Sequence, residues 1–261
     1  IDSQQLQLEI LESSALGDIN VISGIIKSCQ NVLGLRVALD DFGTGYSSLS
    51  HMRNLSADTI KIDQSFVRDL LDDPNDYTII DGVIGLADAF NREIIAEGVE
   101  SDAHGIVLLI MGCDEAQGFG ISRPLPADDI PTWLNTYKPN QYWLDYVSTK
   151  HSAQEDKIIL LQLTTEHWFH NVIKMLHTMH DSGFGDYLVK CHLGKWISRF
   201  QSESLFEASW LDELQQAHDI FYALANELVS LHQSGDVDSV KERIPELENA
   251  YENVNNFFQN F

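Results

Sequence analysis

Charged and amide side chains recur at the ends of five short apolar segments in the first half of the chain. They are Glu9 and Glu12, Asp40 and Asp41, Lys61 and Asp63, Glu97 and Glu100, and Gln117. Adjacent carboxylates such as Asp40 and Asp41 repel each other unless a cation lies between them. Carboxylate oxygens suit Mg²⁺ or Mn²⁺, and two such ions can assist hydrolysis of a phosphate diester. Lys61 could orient the water or stabilise negative charge on the phosphate.

The apolar segments alternate with helical patterns, which predicts βα units around a parallel sheet. We expect strands at about residues 6–11, 36–41, 59–63, 92–98 and 115–118, and helices at about 14–33, 77–90 and 103–111. The strand ends of a βα barrel converge on one face, which carries the active site. The sequence therefore predicts an acidic pocket in an incomplete TIM-type βα barrel of the α/β class. The alternative is that these are ordinary solvated strand ends that cap the following helices.

The second half of the chain has a different character. Residues 136–157 mix Pro, Asn, Tyr, Ser and His, and we interpret them as a linker with some helix around 142–146. Amphipathic patterns then predict an all-α, four-helix-bundle-like domain. Its helices are expected at about residues 158–180, 187–201, 211–231 and 237–258. The expected domains are therefore 1–135, 136–157 and 158–261.

The composition excludes several classes of partner. The formal net charge is −24, from 40 acidic and 16 basic residues, and such a surface repels nucleic acid polymers and anionic membranes. No apolar stretch approaches the roughly 20 residues of a membrane span, and no N-terminal segment is typical of a signal peptide. Cys29, Cys113 and Cys191 are far apart and odd in number, which favours a reducing, cytoplasmic location.

Five motifs in the first half resemble the EAL family of cyclic di-GMP phosphodiesterases, over about residues 6–135. They are LEILES (8–13), DDFGTGYSSL (40–49), KID followed by SFV (61–67), IIAEGVE (94–100) and QGFGISRPLP (117–126). One such motif would be weak evidence, whereas five in this order and spacing are specific. The resemblance implies a metal-dependent enzyme that hydrolyses cyclic di-GMP to the linear dinucleotide.

The resemblance also implies a role for each matching residue. Metal ligands are implied at Glu9, Asp40, Asp41 and Glu97, with Asp41 holding the second ion. Lys61 resembles the residue that positions the catalytic water, and Gln117 the amide that completes the site. Glu12 resembles the glutamate that braces the loop after DDFG. Asp58, Asp63 and Glu100 are interpreted as capping or supporting groups.

The chain departs from the family at its N-terminal side. The Glu-Ala-Leu motif that names the family and the asparagine of a later strand, both metal ligands there, do not occur in this sequence. Only about five of eight barrel strands can be placed, and a half barrel leaves unpaired strand edges. We therefore expect a fragment of a longer protein with further N-terminal domains, and a poor catalyst by itself.

The second half resembles the chemoreceptor zinc-binding domain, through HWFHNVIK (167–174), CHLGKWIS (191–198) and AHDIFYALANEL (217–228). That family holds Zn²⁺ with three histidines and one cysteine. His167, Cys191 and His218 match three of the ligand positions, but the fourth position is Tyr222. Since structural Zn²⁺ takes four ligands, binding would be weaker unless His192 or a histidine from 177–180 substitutes.

Three functions remain open from the sequence. The first is a cyclic di-GMP phosphodiesterase regulated by zinc through the helical domain. The second is a cyclic di-GMP receptor without catalysis. The third is a helical domain that serves only for dimerisation; an apolar stripe at its end is compatible with a homodimer. That stripe is Ile244, Leu247, Tyr251, Val254, Phe257, Phe258 and Phe261.

Overall fold

The computed structural model describes residues 3, 6–16, 19–44, 54–178, 191–203 and 205–261. The chain divides into two compact units. The first unit comprises Ile1–Leu70 and Asn75–Lys150, and the second comprises Leu71–Pro74 and His151–Phe261. None of the helices within the described ranges is both long and apolar enough to cross a membrane.

The first unit is built on a sheet of five parallel strands in the order β1-β2-β3-β4-β5. The strands are β1 (Gln7–Leu11), β2 (Arg36–Phe42), β3 (Thr59–Ile62), β4 (Glu93–Glu97) and β5 (Ala116–Gln117). Its helices are α1 (Ile19–Leu33), α2 (Gln64–Arg68), α3 (Pro74–Ala89), α4 (Asp102–Ile110), α5 (Ile130–Thr136) and α6 (Gln141–Ser148). The predicted α/β class and parallel sheet are confirmed.

The central strands form because their sequences are apolar on both faces. All four residues of β3 are buried, as are Val37, Ala38 and Leu39 of β2. A parallel sheet covered by helices requires such two-sided burial. In β1 only Ile10 is half-buried and the other residues are exposed. This strand lies at the edge of the described sheet and pairs with β2 alone.

Short helices account for most of the differences from the expected elements. The expected helix at 14–33 is a 3₁₀ turn at Glu12–Leu16 followed by α1. α2 was not predicted, because five residues are too few for a periodic pattern. The helix expected around 142–146 is α6, which extends over Gln141–Ser148. It begins after Asn140, whose side chain accepts the N–H of Tyr142 and caps the helix.

In the described part of the second unit, four helices pack against one another. They are α7 (Ala153–His177), α8 (Leu193–Glu203), α9 (Ala208–Gln233) and α10 (Val237–Gln259). α7 begins five residues before the expected start, because Ser152 and Glu155 form a capping box that fixes a polar first turn. The start of the helix expected at 187–201 and His180 lie outside the described residues.

Aromatic residues fill the interior of the second unit. Trp196, Phe200 and Phe221 are among its largest fully buried side chains. Phe169 of α7 stacks on Tyr251 of α10 with ring centroids 4.1 Å apart. The ring centroid of Phe221 on α9 lies 6.0 Å from those of both Phe169 and Tyr251. These contacts join α7, α9 and α10 through large apolar surfaces, which dominate the stability of a small helical unit.

Candidate active site

An irregularity in β2 brings two neighbouring aspartates to one site. Leu39 pairs with Ile60, but the next pair is Phe42 with Ile62, so Asp40 and Asp41 together face Lys61. Side chains of a regular strand alternate between faces, whereas a bulge with an extra residue redirects one of them. Asp41 adopts the left-handed conformation, with φ of 54°. This geometry allows both carboxylates to serve the same pocket.

Lys61 is the cation at the centre of this pocket. Its ammonium lies 3.0 Å from Glu9 Oε1, 2.9 Å from Asp40 Oδ1 and 2.5 Å from Glu97 Oε1. Burial by itself would lower the pKa of Lys61, but hydrogen bonds to Glu97, Asp40 and Glu9 together raise it above the ordinary value. Lys61 therefore stays protonated and can donate hydrogen bonds, but cannot accept a proton from water.

Three carboxylates are close enough to share a cation. Oxygens of Asp40, Asp41 and Glu97 all lie within 4.8 Å of one another, and within the described ranges they form the one such group of three or more His, Cys, Asp or Glu residues. Burial, followed by the charges of Asp40 and Asp63, raises the pKa of Asp41. Burial also raises the pKa of Glu97, against the opposing effect of Lys61. Such crowding of oxygen donors fits Mg²⁺ or Mn²⁺.

Gln117 and Glu97 are direct neighbours on adjacent strands. Their Cα atoms are register partners in β5 and β4, and Gln117 Nε2 donates to Glu97 Oε1 at 2.6 Å. The amide therefore orients the carboxylate that also contacts Lys61. The structure thus brings together Glu9, Asp40, Lys61, Glu97 and Gln117.

Glu12 reaches the same region from the end of β1. It is buried, and its Oε2 accepts a hydrogen bond from the backbone N–H of Gly43 at 2.8 Å. Gly43 has φ of 103°, and a Cβ at this position would lie 2.8 Å from the ring of Phe66. Only glycine therefore suits this turn, and Glu12 holds it next to Asp41.

Two of the three groups interpreted as capping or supporting, Asp63 and Asp58, have side-chain partners in the structure. Asp63 accepts the N–H of Ser65 at 2.9 Å and caps α2, and its carboxyl group also contacts Asp41. Sequence reasoning missed this second contact, because it depends on the bulge in β2. Asp58 accepts the N–H of Val37 at 2.8 Å at the opposite end of the strands, so it supports the sheet. Glu100 is exposed beyond the end of β4.

The three candidate zinc ligands lie in the second unit on separate elements. His167 is on α7, Cys191 precedes α8 and His218 is on α9. Their ligand atoms are not gathered within 4.8 Å of one another. The ring of Tyr222 stacks on His218, with centroids 5.7 Å apart and planes 12° apart. Tyr222 thus packs against a candidate ligand. It occupies the position at which the chemoreceptor zinc-binding domain, which this half of the sequence resembles, has a histidine.

Comparisons with known proteins concern the first half of the chain. Residues 1–124 match the model of the EAL domain family. The chain is 38% identical over 130 residues to the bifunctional diguanylate cyclase/cyclic di-GMP phosphodiesterase MucR of Pseudomonas aeruginosa, covering 50% of this chain and 19% of MucR. It is 38% identical over 132 residues to the cyclic di-GMP phosphodiesterase PdeR of Escherichia coli, covering 51% of this chain and 20% of PdeR.

A solved structure of the PaMucR phosphodiesterase in complex with c-di-GMP is 37% identical in sequence to the matched part of this chain. The match covers 50% of this chain and 52% of that one, with a TM-score of 0.48. The chain spans about a fifth of the length of the curated relatives it matches. Residues 1–124 of this chain are therefore similar to the EAL domain family.

Proposed function

We propose that this chain supplies part of the active site of a metal-dependent enzyme that hydrolyses cyclic di-GMP to the linear dinucleotide. The observation that carries this proposal is the cluster of Asp40, Asp41 and Glu97 around the ammonium of Lys61. The names of MucR and PdeR, each 38% identical over about half of the chain, support the choice of substrate.

Each residue of the pocket has its own proposed role. Divalent cations bound at the carboxylates would supply the positive charge that stabilises the attacking and leaving oxygens of the phosphodiester. Glu9, Asp40 and Glu97 would hold one cation, and Asp41 would hold the second. Gln117 fixes the orientation of Glu97 through its hydrogen bond. Because Lys61 keeps its proton, its role is to orient water and to stabilise negative charge that develops on the phosphate.

The charge of the pocket accounts for its need of cations. The chain carries a formal net charge of −24, and the substrate bears two phosphodiester anions. A carboxylate pocket by itself would repel such a ligand. Cations held by Asp40, Asp41 and Glu97 would therefore both attract the substrate and activate it.

We further propose that the chain is part of a longer protein whose preceding residues complete the barrel and its metal ligands. The curated relatives are about five times as long as the matched segment. The test is to incubate cyclic di-GMP and Mn²⁺ with the natural full-length protein that contains this chain, and to separate the products. We expect the linear dinucleotide from the natural protein and almost none from Glu97→Gln. Asp69→Asn, which alters an exposed ion pair with Arg68, is the matched control.

The same experiment distinguishes the alternative of a receptor without catalysis. A receptor would bind cyclic di-GMP equally with and without Mn²⁺ and would return it intact. That result would overturn the enzymatic proposal and direct attention to the residues that precede this chain. The intact cluster of carboxylates favours the enzyme, because loss of these ligands is the change expected in a domain that no longer catalyses.

For the second unit we propose a four-helix bundle that binds Zn²⁺ through His167, Cys191 and His218 and regulates the preceding domain. His218 favours this proposal, because its side chain is only 6% exposed and its Nε2 atom is buried without a hydrogen-bond partner. An orphaned buried acceptor is costly, and a cation would satisfy it. A function limited to homodimerisation is the alternative. Metal analysis of the chain, purified without chelators, should find one zinc per chain; finding none would leave only the dimerisation role.

The thiols of the chain are compatible with a reducing, cytoplasmic location, which we also propose. Cys29, Cys113 and Cys191 are all free. Burial raises the pKa of Cys113 to about 11, so this thiol is unreactive at neutral pH.

A further inference from the structure

Helix α6 packs against α4 at the first residue of α4. Trp143 of α6 donates a hydrogen bond from its indole Nε1 to the backbone oxygen of Asp102 at 2.9 Å. Asn140, which caps α6, donates from Nδ2 to Oδ1 of the same aspartate at 2.5 Å. The segment that follows β5 in the chain is thus joined to the helix that follows β4.

The indole lies directly against the backbone of α4 because position 105 is glycine. A Cβ at Gly105 would lie 2.3 Å from Nε1 and 2.4 Å from Cε2 of Trp143, so any other residue would overlap with the ring. Glycine inside a helix weakens that helix relative to alanine, and close packing is a usual reason for its presence there. Gly105 therefore forms the slot that admits Trp143.

The start of α4 is in turn joined to the loop that follows Glu97. Ser101 caps α4, because its hydroxyl group accepts the N–H of His104 at 3.3 Å. His104 is buried, and its Nδ1 accepts the N–H of Glu100 at 3.5 Å. The position of α4 therefore fixes the backbone only three residues after Glu97.

The same loop also contacts the turn that carries Gln117. Val99 donates its N–H to the backbone oxygen of Gln117 at 3.1 Å and accepts the N–H of Gly120 at 2.8 Å. The side chain of Gln117 donates to Glu97 in the proposed cation site. Residues 98–101 therefore connect the helix that Trp143 holds to the Glu97–Gln117 pair.

We propose that Trp143 is a positioning residue for Glu97. By docking at Gly105 it fixes the start of α4, and through it the loop that supports Glu97 and Gln117. This inference rests on the metal-dependent hydrolysis of cyclic di-GMP proposed above. Groups that hold a ligand in place raise its affinity for the metal, because an unsupported carboxylate must be ordered when the cation binds. Loss of the docked indole should therefore weaken the binding of the cation at Glu97.

The test is the Mn²⁺ dependence of cyclic di-GMP hydrolysis by the natural full-length protein that contains this chain. Gly105→Ala blocks the slot although alanine favours the helix, and Trp143→Ala removes the indole. We expect each variant to need about tenfold more Mn²⁺ for half-maximal activity, and to recover most of its activity at saturating Mn²⁺. The double variant should be no worse than either single variant, because both remove the same contact.

Two matched controls separate this effect from the substitutions themselves. Gly85→Ala changes a glycine of α3 at which a Cβ would meet open space. Tyr142→Ala removes the aromatic neighbour of Trp143 in the sequence, which is 69% exposed. Both should keep the natural Mn²⁺ dependence. If Gly105→Ala and Trp143→Ala lower only the Tm and leave the Mn²⁺ dependence unchanged, the contact is merely structural and the inference is wrong.

Hydrogen exchange measured by mass spectrometry distinguishes this inference from the proposed function. The amides of residues 98–105 should exchange about tenfold faster in Trp143→Ala than in the natural protein, while those of β2 should be unchanged. Equal exchange at 98–105 would overturn the positioning role even in an active enzyme. If the natural protein hydrolysed no cyclic di-GMP, the proposed function would be wrong. Exchange, together with Mn²⁺ affinity measured by calorimetry, would then still decide whether Trp143 positions the loop.

Discussion

The carboxylate of Glu12 accepts a hydrogen bond from the backbone N–H of Gly43 across 2.8 Å, although the two residues are 31 positions apart. This bond joins the end of β1 to the turn that follows Asp40 and Asp41. The turn can adopt its conformation only with glycine at position 43. Glu12 thus acts on the proposed cation site by positioning the loop beside it, since its own carboxylate is engaged with the turn.

Glu12→Ala should weaken metal binding more than it weakens folding. Without its acceptor the N–H of Gly43 is unsatisfied and the turn beside Asp41 loosens, so the Mn²⁺ concentration for half-maximal phosphodiesterase activity should rise about 10- to 100-fold. The measurement is a Mn²⁺ titration of activity in the natural full-length protein, with Asp81→Asn on the exposed side of α3 as the control. An unchanged Mn²⁺ dependence would show that Glu12 has only a structural role.

Lys61→Met should make the thermal stability of the first unit depend on divalent cations. The substitution removes the ammonium that contacts Glu9, Asp40 and Glu97, and like charges at such distances repel. We expect a lower Tm without Mn²⁺, recovery of most of the loss with Mn²⁺, and a fall in kcat of about 100-fold or more.

The matched control for that experiment is Lys27→Met, at an exposed position of α1. It removes the same charge without touching the pocket, so its Tm and kcat should equal those of the natural protein. If Lys61→Met retained a normal kcat, the assignment of Lys61 to the catalytic site would be wrong.

Two adjacent residues of α9 should differ sharply in their effect on stability. Phe221 is fully buried and contacts Trp168, Phe169 and Tyr251, whereas Ile220 is 67% exposed. Phe221→Ala should lower the free energy of unfolding by about 3–5 kcal/mol, and Ile220→Ala by less than about 0.5 kcal/mol. Urea unfolding followed by circular dichroism measures both. Equal losses would contradict the packing of α9 against α7 and α10.

Alkaline pH should destabilise the second unit through Tyr251. Burial, followed by the charges of Glu166 and Glu252, raises the pKa of Tyr251 to about 12, against about 10 for an unfolded tyrosine. The unfolded chain therefore loses this proton first, and the free energy of unfolding falls as pH rises from about 10 to about 12. Tyr251→Phe should flatten the dependence on pH in this window, as measured by urea unfolding at each pH. An identical slope in the variant would exclude Tyr251 as the cause.

The positions of the catalytic candidates could be read from the sequence because parallel strands leave a regular pattern. Apolar residues of β2, β3 and β4 lead into Asp40, Lys61 and Glu97, and Gln117 ends the two-residue strand β5. The geometry of βα units brings such ends together. The order of the strands follows the order of the chain, so no long-range choice of pairing was needed. The motifs therefore sufficed to predict the parallel sheet and its polar edge.

The sequence was less informative where a single polar contact determines whether a helix forms or where it begins. Helix α2 is only one turn and depends on the cap from Asp63. The start of α7 depends on the capping box of Ser152 and Glu155. Both are polar features without apolar periodicity, which is why patterns of hydrophobic residues either missed them or placed their ends incorrectly.

The sequence by itself determined the composition of the acidic pocket, because its carboxylates and Lys61 stand at the ends of recognisable strands. Only the tertiary structure decided how they meet. Asp40 and Asp41 are adjacent and would point to opposite faces of a regular strand, but the bulge in β2 and the positive φ of Asp41 place both beside Lys61. In the second unit, the nearness of Asp72 to His167 joins residues 95 positions apart. No local pattern encodes such a contact, because it arises only when distant segments pack together.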